Sequence, residues 1–185
     1  MRIISGKLKG KSISFIRSVI TRPLKDSVKE NIFNIISHSS LLDIKLDKSI
    51  ILDLYSGVGS FGLECLSRGA DKVIFVERDK KAGETLNVNL RTLLIKEKTK
   101  VFNEKIIDFL GRAQLEKFDI FFLDPPFADN NFLKDLSLIK KKKIHKKNHI
   151  VIIHREYKSS DNFDNIIDPI IVKRYGRSKI IFGKF

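Results

Sequence analysis

Two kinds of hydrophobic pattern alternate along the chain from residue 49 onward. Short, nearly continuous apolar runs are typical of strands covered on both faces, and the segments between them have the spacing of amphipathic helices. The predicted strands are residues 49–55, 72–77, 99–103, 118–124, 149–154, 166–175 and 179–185. The predicted helices are residues 61–69, about 79–95, a short segment ending near 114, and about 130–140. This alternation predicts a doubly wound α/β fold with a mostly parallel sheet, and the tight connection between the last two strands predicts an antiparallel pair.

The beginning of the chain has a different pattern. Residues 2–5 and 12–16 flank the sequence GKLKG, in which Gly6 and Gly10 are suited to turn conformations. We therefore expect a small β-hairpin at the N-terminal end of the chain.

An amphipathic helix is predicted from about Leu24 to His38, where apolar residues recur at helical spacing. Ser27 and Glu30 have the spacing of a capping box, which predicts a hydrogen-bonded start to this helix. We place the domain boundary between the helix and the first strand. Residues 1–45 are then an N-terminal extension, and residues 46–185 form the main domain.

Composition excludes several classes of protein. The chain has 185 residues, of which 42% are hydrophobic, so we expect a folded globular protein rather than a disordered one. It contains one cysteine, which rules out an intrachain disulfide and is typical of a reducing, cytoplasmic location. The basic N-terminus lacks the apolar segment of a signal peptide, and no apolar run reaches membrane-spanning length, so we expect no membrane association.

The formal net charge is +14, and the basic residues are clustered. Residues 1–25 contain seven lysines and arginines and no acidic residue. Such clusters are typical of nucleic-acid contacts, which predicts an RNA-binding role for Arg2, Lys7, Lys9, Lys11 and Arg22. A second run, KKKKIHKK at residues 140–147, fits a nucleic-acid contact and a solvated face equally well.

A glycine-rich loop follows the first predicted strand, in the sequence DLYSGVGSFG at residues 53–62. Its glycines, Gly57, Gly59 and Gly62, fit the G-x-G-x-x-G pattern of nucleotide-cofactor sites, and Glu77 ends the next strand where an acid binds a ribose. NAD(P) and S-adenosylmethionine both contain a ribose. Asp53 favours S-adenosylmethionine, because an acid there repels a pyrophosphate but attracts an ammonium and a sulfonium. The predicted cofactor-binding residues are Asp53, Ser56, Gly57, Gly59, Gly62, Glu77, Arg78 and Glu104.

The fourth strand of the alternating part ends in the sequence FFLDPPF, residues 121–127. In this topology Asp124 follows the strand at the crevice where the sheet order reverses. The two prolines fix the backbone and have no N–H, so we expect their carbonyls to point into the site as acceptors. Asp124 and the Pro125 carbonyl then have room to accept both N–H groups of a nucleobase amine, while Phe127 stacks on the base. We predict a catalytic group of Asp124, Pro125, Pro126 and Phe127.

Together these motifs resemble a known family. The sequences DLYSGVGSFGLECLSRGA, VIFVERD and FFLDPPFAD are similar to those of the RsmD-type methyltransferases, which modify a guanine N2 in 16S ribosomal RNA. MRIISGKLKGKSI and TRPLKDSVKENIFNII are also similar to that family's N-terminal pattern. The resemblance implies a seven-stranded class I methyltransferase fold and S-adenosylmethionine as donor. It also implies 16S ribosomal RNA, or the assembled small ribosomal subunit, as partner.

The chain departs from the family pattern at a few positions. Leu24 stands where the family usually has threonine, and Ser27 stands where an arginine is usual, so one RNA or active-site contact is in doubt. The acid expected near the adenine is Glu104 or Asp108, and Glu104 is closer to the strand. His154 follows the fifth strand and could line the cleft, but a histidine at a strand end is more often structural, so we do not assign it to the site.

Other readings of the sequence remain open. One is an amino-methyltransferase that acts on adenine N6 or on DNA, and another is a ribosome-assembly protein that has lost its activity. Cys65 is expected in the core, no residues have metal-ligand spacing, and no feature requires more than a monomer.

Overall fold

Strands and helices alternate through the main domain as the hydrophobic pattern predicts. The structure, a computed structural model, describes residues 1–16 and 24–185. The helices are α1 (Asp26–His38), α2 (Ser60–Ser67), α3 (Lys80–Thr92), α4 (Ile106–Leu110) and α5 (Phe132–Lys142), with a 3-10 turn at Lys96–Lys98. The strands are β1 (Ile50–Leu54), β2 (Lys72–Val76), β3 (Thr99–Phe102), β4 (Phe118–Leu123), β5 (His145–Glu156), β6 (Asp168–Tyr175) and β7 (Ser178–Lys184).

All seven strands form one sheet in the order β3-β2-β1-β4-β5-β7-β6. Strands β1 to β5 pair in parallel, while β7 runs antiparallel to both β5 and β6. The prediction of a mostly parallel, seven-stranded sheet with an antiparallel C-terminal pair is confirmed. Strand order reverses between β1 and β4, and in such sheets ligands bind outside the carboxyl ends of the strands at this point.

Helices cover both faces of the sheet. Leu63 of α2 shares one hydrophobic core with Ile51 of β1, and this core also includes buried residues of α1 and α3. Leu136 of α5 shares a second core with the next residue of β1, Leu52, together with residues of α4. Consecutive strand residues point to opposite faces, so a strand buried on both faces is apolar at almost every position. None of the described helices has the length and apolar character needed to cross a membrane.

The N-terminal reversal is present but shorter than predicted. Within the described residues, this segment has one strand pairing, an isolated antiparallel bridge between Arg2 and Ser12. The Ile3 N–H donates to the Lys11 carbonyl at 3.0 Å, and the Gly10 N–H donates to the Ile3 carbonyl at 2.9 Å. The segment forms a bridged turn rather than a two-stranded ladder.

Helix α1 ends at His38 as predicted but begins later than predicted. Its first residue is Asp26, and the preceding Lys25 makes no side-chain capping bond. Ser27 lies inside the first turn, so the prediction of a capping box is wrong. The helix is stabilised instead by packing, since Val28, Ile32, Phe33 and Ile36 are buried.

A buried carboxylate connects the N-terminal segment to α2. The Glu64 side chain is fully buried on α2, and it accepts from the N–H of Ile4 at 2.8 Å, the N–H of Ser5 at 2.9 Å and the Nε of Arg68 at 2.8 Å. The Nζ of Lys29, also fully buried, lies 3.8 Å from Glu64. Glu64 therefore holds the first residues of the chain against α2.

Lys29 completes this cluster from α1. Its Nζ donates to the Arg2 carbonyl at 3.0 Å and to the Ser60 hydroxyl at 3.3 Å. Burial lowers the pKa of Lys29, and the nearby Glu64 carboxylate opposes that shift. Removal of Glu64 leaves the buried Lys29 ammonium with the half-exposed Asp26 carboxylate, at 3.8 Å, as its remaining counter-charge, whereas removal of Lys29 leaves Glu64 paired with Arg68.

We predict that Glu64→Ala lowers the free energy of unfolding by about 3–5 kcal/mol, because it removes the buried counter-charge of Lys29 and the acceptor of two backbone N–H groups. Denaturant titration measures this change. The control is Glu30→Ala at an exposed position of α1, for which we expect a change within about 0.5 kcal/mol. Equal losses in the two variants would contradict the structural role of Glu64.

Candidate active site

The expected site lies where β1 and β4 end side by side. The two strands pair in parallel, with Asp53 opposite Phe122 and Leu54 opposite Leu123. The Asp124 N–H approaches the Leu54 carbonyl at 3.5 Å, which extends the pairing one step past β4. The crevice between these strand ends therefore has one carboxylate from each strand.

Asp53 is a buried carboxylate with unused acceptor capacity. It is 1% exposed, and its Oδ2 accepts from the Gly62 N–H at 3.0 Å. Its Oδ1 is buried and has no hydrogen-bond partner among the described residues. Burial raises the pKa of Asp53 well above its usual value, and the charges of Asp124 and Glu77 raise it further against the Gly62 bond.

The glycines of the loop have two different roles. Gly57 has φ +55 and Gly59 has φ +85, conformations that favour glycine over other residues. A Cβ on Gly59 would lie 2.4 Å from Leu86 Cδ1, whereas a Cβ on Gly57 would meet no atom within 4 Å. Gly59 thus permits close packing of α2 and α3, while Gly57 borders open space.

Glu77 follows β2 and holds the glycine loop. Its Oε2 accepts from the Gly57 N–H at 2.8 Å, and its Oε1 accepts from the Asp79 N–H at 2.7 Å. Each carboxylate oxygen keeps a second lone pair, so the group remains able to accept further hydrogen bonds. Ser56 lies beside it in the loop, and its buried hydroxyl has no partner in the described part of the chain.

The residues expected at the edge of this site are more exposed. Arg78 is exposed directly after Glu77. Glu104 is half-buried, and its Oε1 lies 2.7 Å from Arg112 Nη1. Asp108 is exposed on α4. Glu104 is thus the more enclosed of the two acids after β3, and it is already paired with an arginine.

Asp124, Pro125, Pro126 and Phe127 form the other wall. Pro125 is buried, Asp124 is partly exposed, and Phe127 is half-buried. The expectation that both proline carbonyls are free acceptors is wrong for Pro126. Its oxygen accepts from the Asp129 N–H at 2.8 Å and from Arg155 Nη1 at 3.1 Å, which occupies both lone pairs.

Arg155 is a residue of this site region that the sequence did not indicate. It is 1% exposed and stacks over the Phe132 ring at 4.4 Å. Its guanidinium donates to Asp161 Oδ1 at 2.9 Å as well as to the loop after Pro126. Burial acts to raise the pKa of Asp161, but hydrogen bonds from Arg155 and Ser159 outweigh it and lower that pKa. The loop after β4 is thereby fixed to β5.

His154, which was not assigned to the site from the sequence, also lies in this region. Its Nδ1 lies 2.8 Å from Asp124 Oδ1, and its ring meets Phe127 edge to face at 5.5 Å. The sequence predicts this contact only in part, because a strand that pairs in parallel with β4 must place some residue beside Asp124. Which residue it would be depends on register.

Tyr55 connects the glycine loop to the opposite layer. It has φ +57, an uncommon conformation for tyrosine, and its hydroxyl donates to Asp135 Oδ2 on α5 at 2.7 Å. Burial raises the pKa of Asp135 against the effect of this bond. The contact holds the loop after β1 against α5, the helix that follows the loop after β4.

The residues expected to contact RNA are exposed on the N-terminal segment: Arg2, Lys7, Lys9 and Lys11. The Lys7 N–H donates to the carbonyl of Ser67 at 2.7 Å, at the last residue of α2. The GKLKG turn therefore lies at the end of α2 remote from the glycine loop. Arg22 lies outside the described residues.

No group of three His, Cys, Asp or Glu side chains within residues 1–16 and 24–185 is arranged to hold a metal ion. Cys65 is buried in the core, as expected.

Comparisons with known proteins identify the family. A family model described as "Conserved hypothetical protein 95" matches residues 1–184. The protein YlbH of Bacillus subtilis is 39% identical over 141 residues, 75% of this chain and 73% of YlbH. Ribosomal RNA small subunit methyltransferase D of Haemophilus influenzae is 37% identical over 158 residues, 84% of this chain and 79% of the relative.

A solved structure agrees in fold. The yhhF protein of Escherichia coli superposes with a TM-score of 0.84 at 24% identity, covering 100% of this chain and 97% of that one. The fold is that of class I methyltransferases. The chain therefore belongs to the RsmD family of methyltransferases that act on the RNA of the small ribosomal subunit.

Proposed function

We propose that this enzyme transfers a methyl group from S-adenosylmethionine to the N2 amine of one guanine in 16S ribosomal RNA. The observation that supports this most is the convergence of Asp53 and Asp124 at the paired ends of β1 and β4. Asp53 has a buried oxygen without a partner among the described residues, which would attract a cation. Asp124 is followed directly by the prolines and the Phe127 ring. This arrangement fits a cationic methyl donor next to a nucleobase amine.

The residues around the glycine loop fit S-adenosylmethionine. Asp53 Oδ1 and the Ser56 hydroxyl are buried acceptors without partners among the described residues, which suits the ammonium group of the cofactor. Glu77 keeps lone pairs for ribose hydroxyls. Gly57 borders open space in which a cofactor could approach the backbone, Gly62 lets α2 pack on Phe75 of β2, and Arg78 and Glu104 would lie toward the adenine end.

The residues after β4 would hold the target base. Asp124 Oδ1 already lies 2.8 Å from His154 Nδ1, so we assign one N–H of the amine to Oδ2, which makes no hydrogen bond within the described residues. The Pro125 carbonyl accepts the other N–H, and Pro126 keeps the backbone rigid. Phe127 stacks on the base, a contact worth roughly 1–3 kcal/mol, once the base has left its own stack.

Catalysis on this account is mainly positioning. When bound, S-adenosylmethionine supplies a methyl group that leaves its sulfonium as neutral thioether while the amine lone pair forms the new C–N bond. Asp124 stabilises the positive charge that develops on the nitrogen, and Oδ2 can take the proton that the methylated amine releases. The two acceptors orient the amine lone pair in line with the bond that breaks.

The N-terminal extension, residues 1–45, would bind RNA phosphates through Arg2, Lys7, Lys9, Lys11 and Arg22. The first four are exposed, and three of them flank or lie within one turn. The substrate is 16S ribosomal RNA or the assembled small subunit, methylated by a monomer in the cytoplasm. Alternative substrates, an adenine N6 or a DNA base, would use the same acceptors.

We predict that Asp124→Ala reduces methyl transfer to undermethylated small subunits by at least about 10²–10³-fold, because the amine loses its charged acceptor. Incorporation of label from S-adenosylmethionine measures the rate, and calorimetry measures cofactor affinity, which should fall much less. The control is Asp168→Ala, an exposed residue at the start of β6, the strand at the far edge of the sheet. Near-normal activity of Asp124→Ala would sink the assignment.

We further predict that Asp53→Asn makes the protein more stable but weakens cofactor affinity about 10- to 100-fold, since the ammonium loses a charged partner. Folding raises the pKa of Asp53. The ionised carboxylate therefore destabilises the folded state once the pH exceeds the pKa of Asp53 in the unfolded chain, about 4. The stability difference between variant and wild type should therefore grow as pH rises from about 4. Denaturant titration across pH tests this, and a less stable variant without that trend would refute it.

A further inference from the structure

We propose that His154 is a positioning residue of the active site, which fixes the Asp124 carboxylate so that its Oδ2 faces the target amine. The contact is direct, with 2.8 Å between His154 Nδ1 and Asp124 Oδ1. An ionised carboxylate only accepts hydrogen bonds, so Nδ1 carries the proton and donates. The proposal rests on the proposed function, because it assigns Asp124 to the amine.

The backbone holds His154 firmly on both sides. Leu123 of β4 pairs with Ile153 of β5, so the next residues, Asp124 and His154, emerge side by side. On the other side His154 pairs with Ile180 of β7. A residue in the middle of three strands cannot shift without disturbing the sheet, which makes it a rigid support for a side chain on a loop.

The imidazole touches both groups that would hold the base. Its side chain is 11% exposed against 24% for Asp124, so it lies behind the carboxylate. Its ring also meets Phe127 at 5.5 Å with an interplanar angle of 75°. One side chain thus sets the rotamer of the amine acceptor and limits the motion of the stacking ring.

The test compares His154→Leu with His154→Asn, two variants of similar size. The Asn amide nitrogen lies near the position of Nδ1 and still donates, whereas Leu does not. We expect His154→Leu to lower kcat for rRNA methylation about 10- to 100-fold, with the KM for RNA and the affinity for S-adenosylmethionine changed less than about threefold. His154→Asn should recover most of the rate. His38→Asn, at an exposed histidine of α1, is the control.

Several results would overturn the proposal. Equal activity of His154→Leu and His154→Asn would show that the donor is unimportant, and a loss confined to KM or cofactor affinity would assign His154 a different role. A wild-type enzyme that does not methylate a guanine amine would refute the proposed function itself, which is a separate failure.

A different observation carries a second inference: we infer that a lysine-rich cleft forms a further site for the phosphates of the RNA substrate. The cleft has a volume of about 430 Å³. It is lined by Lys117, Lys140, Lys143, His145, Lys146, Lys147 and Phe185. Lys117 precedes β4 and Asp124 follows it, so the six-residue strand separates this lysine cleft from the active site by about 20 Å.

The positive charge of the lysine cleft is largely uncompensated. Lys146 pairs with Asp119 at 2.7 Å. Lys117, Lys143 and Lys147 are exposed and make no ion pair with any acidic side chain in the described part of the chain, and residues 17–23 contain no acid. A concave surface of one charge concentrates counter-ions, and a polyanion such as RNA is the partner that fits it.

Helix-end electrostatics explains only part of this cluster. Lys140, Lys141 and Lys142 lie in the last turn of α5, where positive charge is favoured by the helix dipole. Lys117 and Lys147 lie outside the helix. Lys143 adopts φ +54 at the helix end, a conformation in which glycine is usual.

We expect Lys117→Gln, Lys143→Gln and Lys147→Gln together to reduce the salt dependence of binding to a 16S rRNA fragment. The slope of log affinity against log salt should fall by about 2, since each lost phosphate contact removes about 0.7–0.9. The matched control, Lys173→Gln with Lys96→Gln and Lys100→Gln, makes the same charge change at exposed positions elsewhere. A comparison triple at Lys7, Lys9 and Lys11 reports the contribution of the N-terminal turn.

Equal slopes for the cleft triple and the control triple would overturn the second inference, whether both fall or neither does. Cofactor affinity measured by calorimetry checks that each variant is folded. Failure of the wild type to methylate the RNA would instead refute the proposed function.

Discussion

The parallel pairing of β1 with β4 is the constraint on which the site depends. It brings Asp53 and Asp124 to the same edge of the sheet, where their charges oppose each other and burial further penalises the charge of Asp53. A cation bound between them relieves both effects. The fold thereby creates a position that favours a positively charged ligand, next to Asp124, the acceptor that we propose for the target amine.

Buried charges in this protein fall into two kinds. Glu64 and Lys29 on one face, and Arg155 with Asp161 beyond β5, are surrounded by partners and hold segments together. Asp53 is as deeply buried but has an oxygen without a partner among the described residues. A saturated buried charge is explained by structure, whereas one that lacks a partner calls for a ligand. This contrast supports Asp53 as a binding residue.

Much of the fold was predictable because the parallel strands are buried on both faces and are therefore apolar throughout. The predicted capping box was wrong because the spacing of Ser27 and Glu30 does not determine which residue begins the helix, and α1 begins at Asp26. The glycine loop and Asp124 could be recognised locally from their order along the chain. The roles of His154 and Arg155 could not be recognised from the sequence. His154 meets Asp124 only through the register of β5 on β4, and Arg155 bonds a loop that is distant in sequence. One of these long-range bonds, from Arg155, also occupies the Pro126 carbonyl together with a local bond from Asp129.

The central claim is tested most directly by identifying the methylated nucleotide. Small ribosomal subunits that lack the modification would be incubated with the enzyme and labelled S-adenosylmethionine, and the RNA would be digested to nucleosides and analysed by mass spectrometry. The account predicts label in N2-methylguanosine, mapped to a single guanine of 16S ribosomal RNA. Label in N6-methyladenosine, or no label at all, would contradict it.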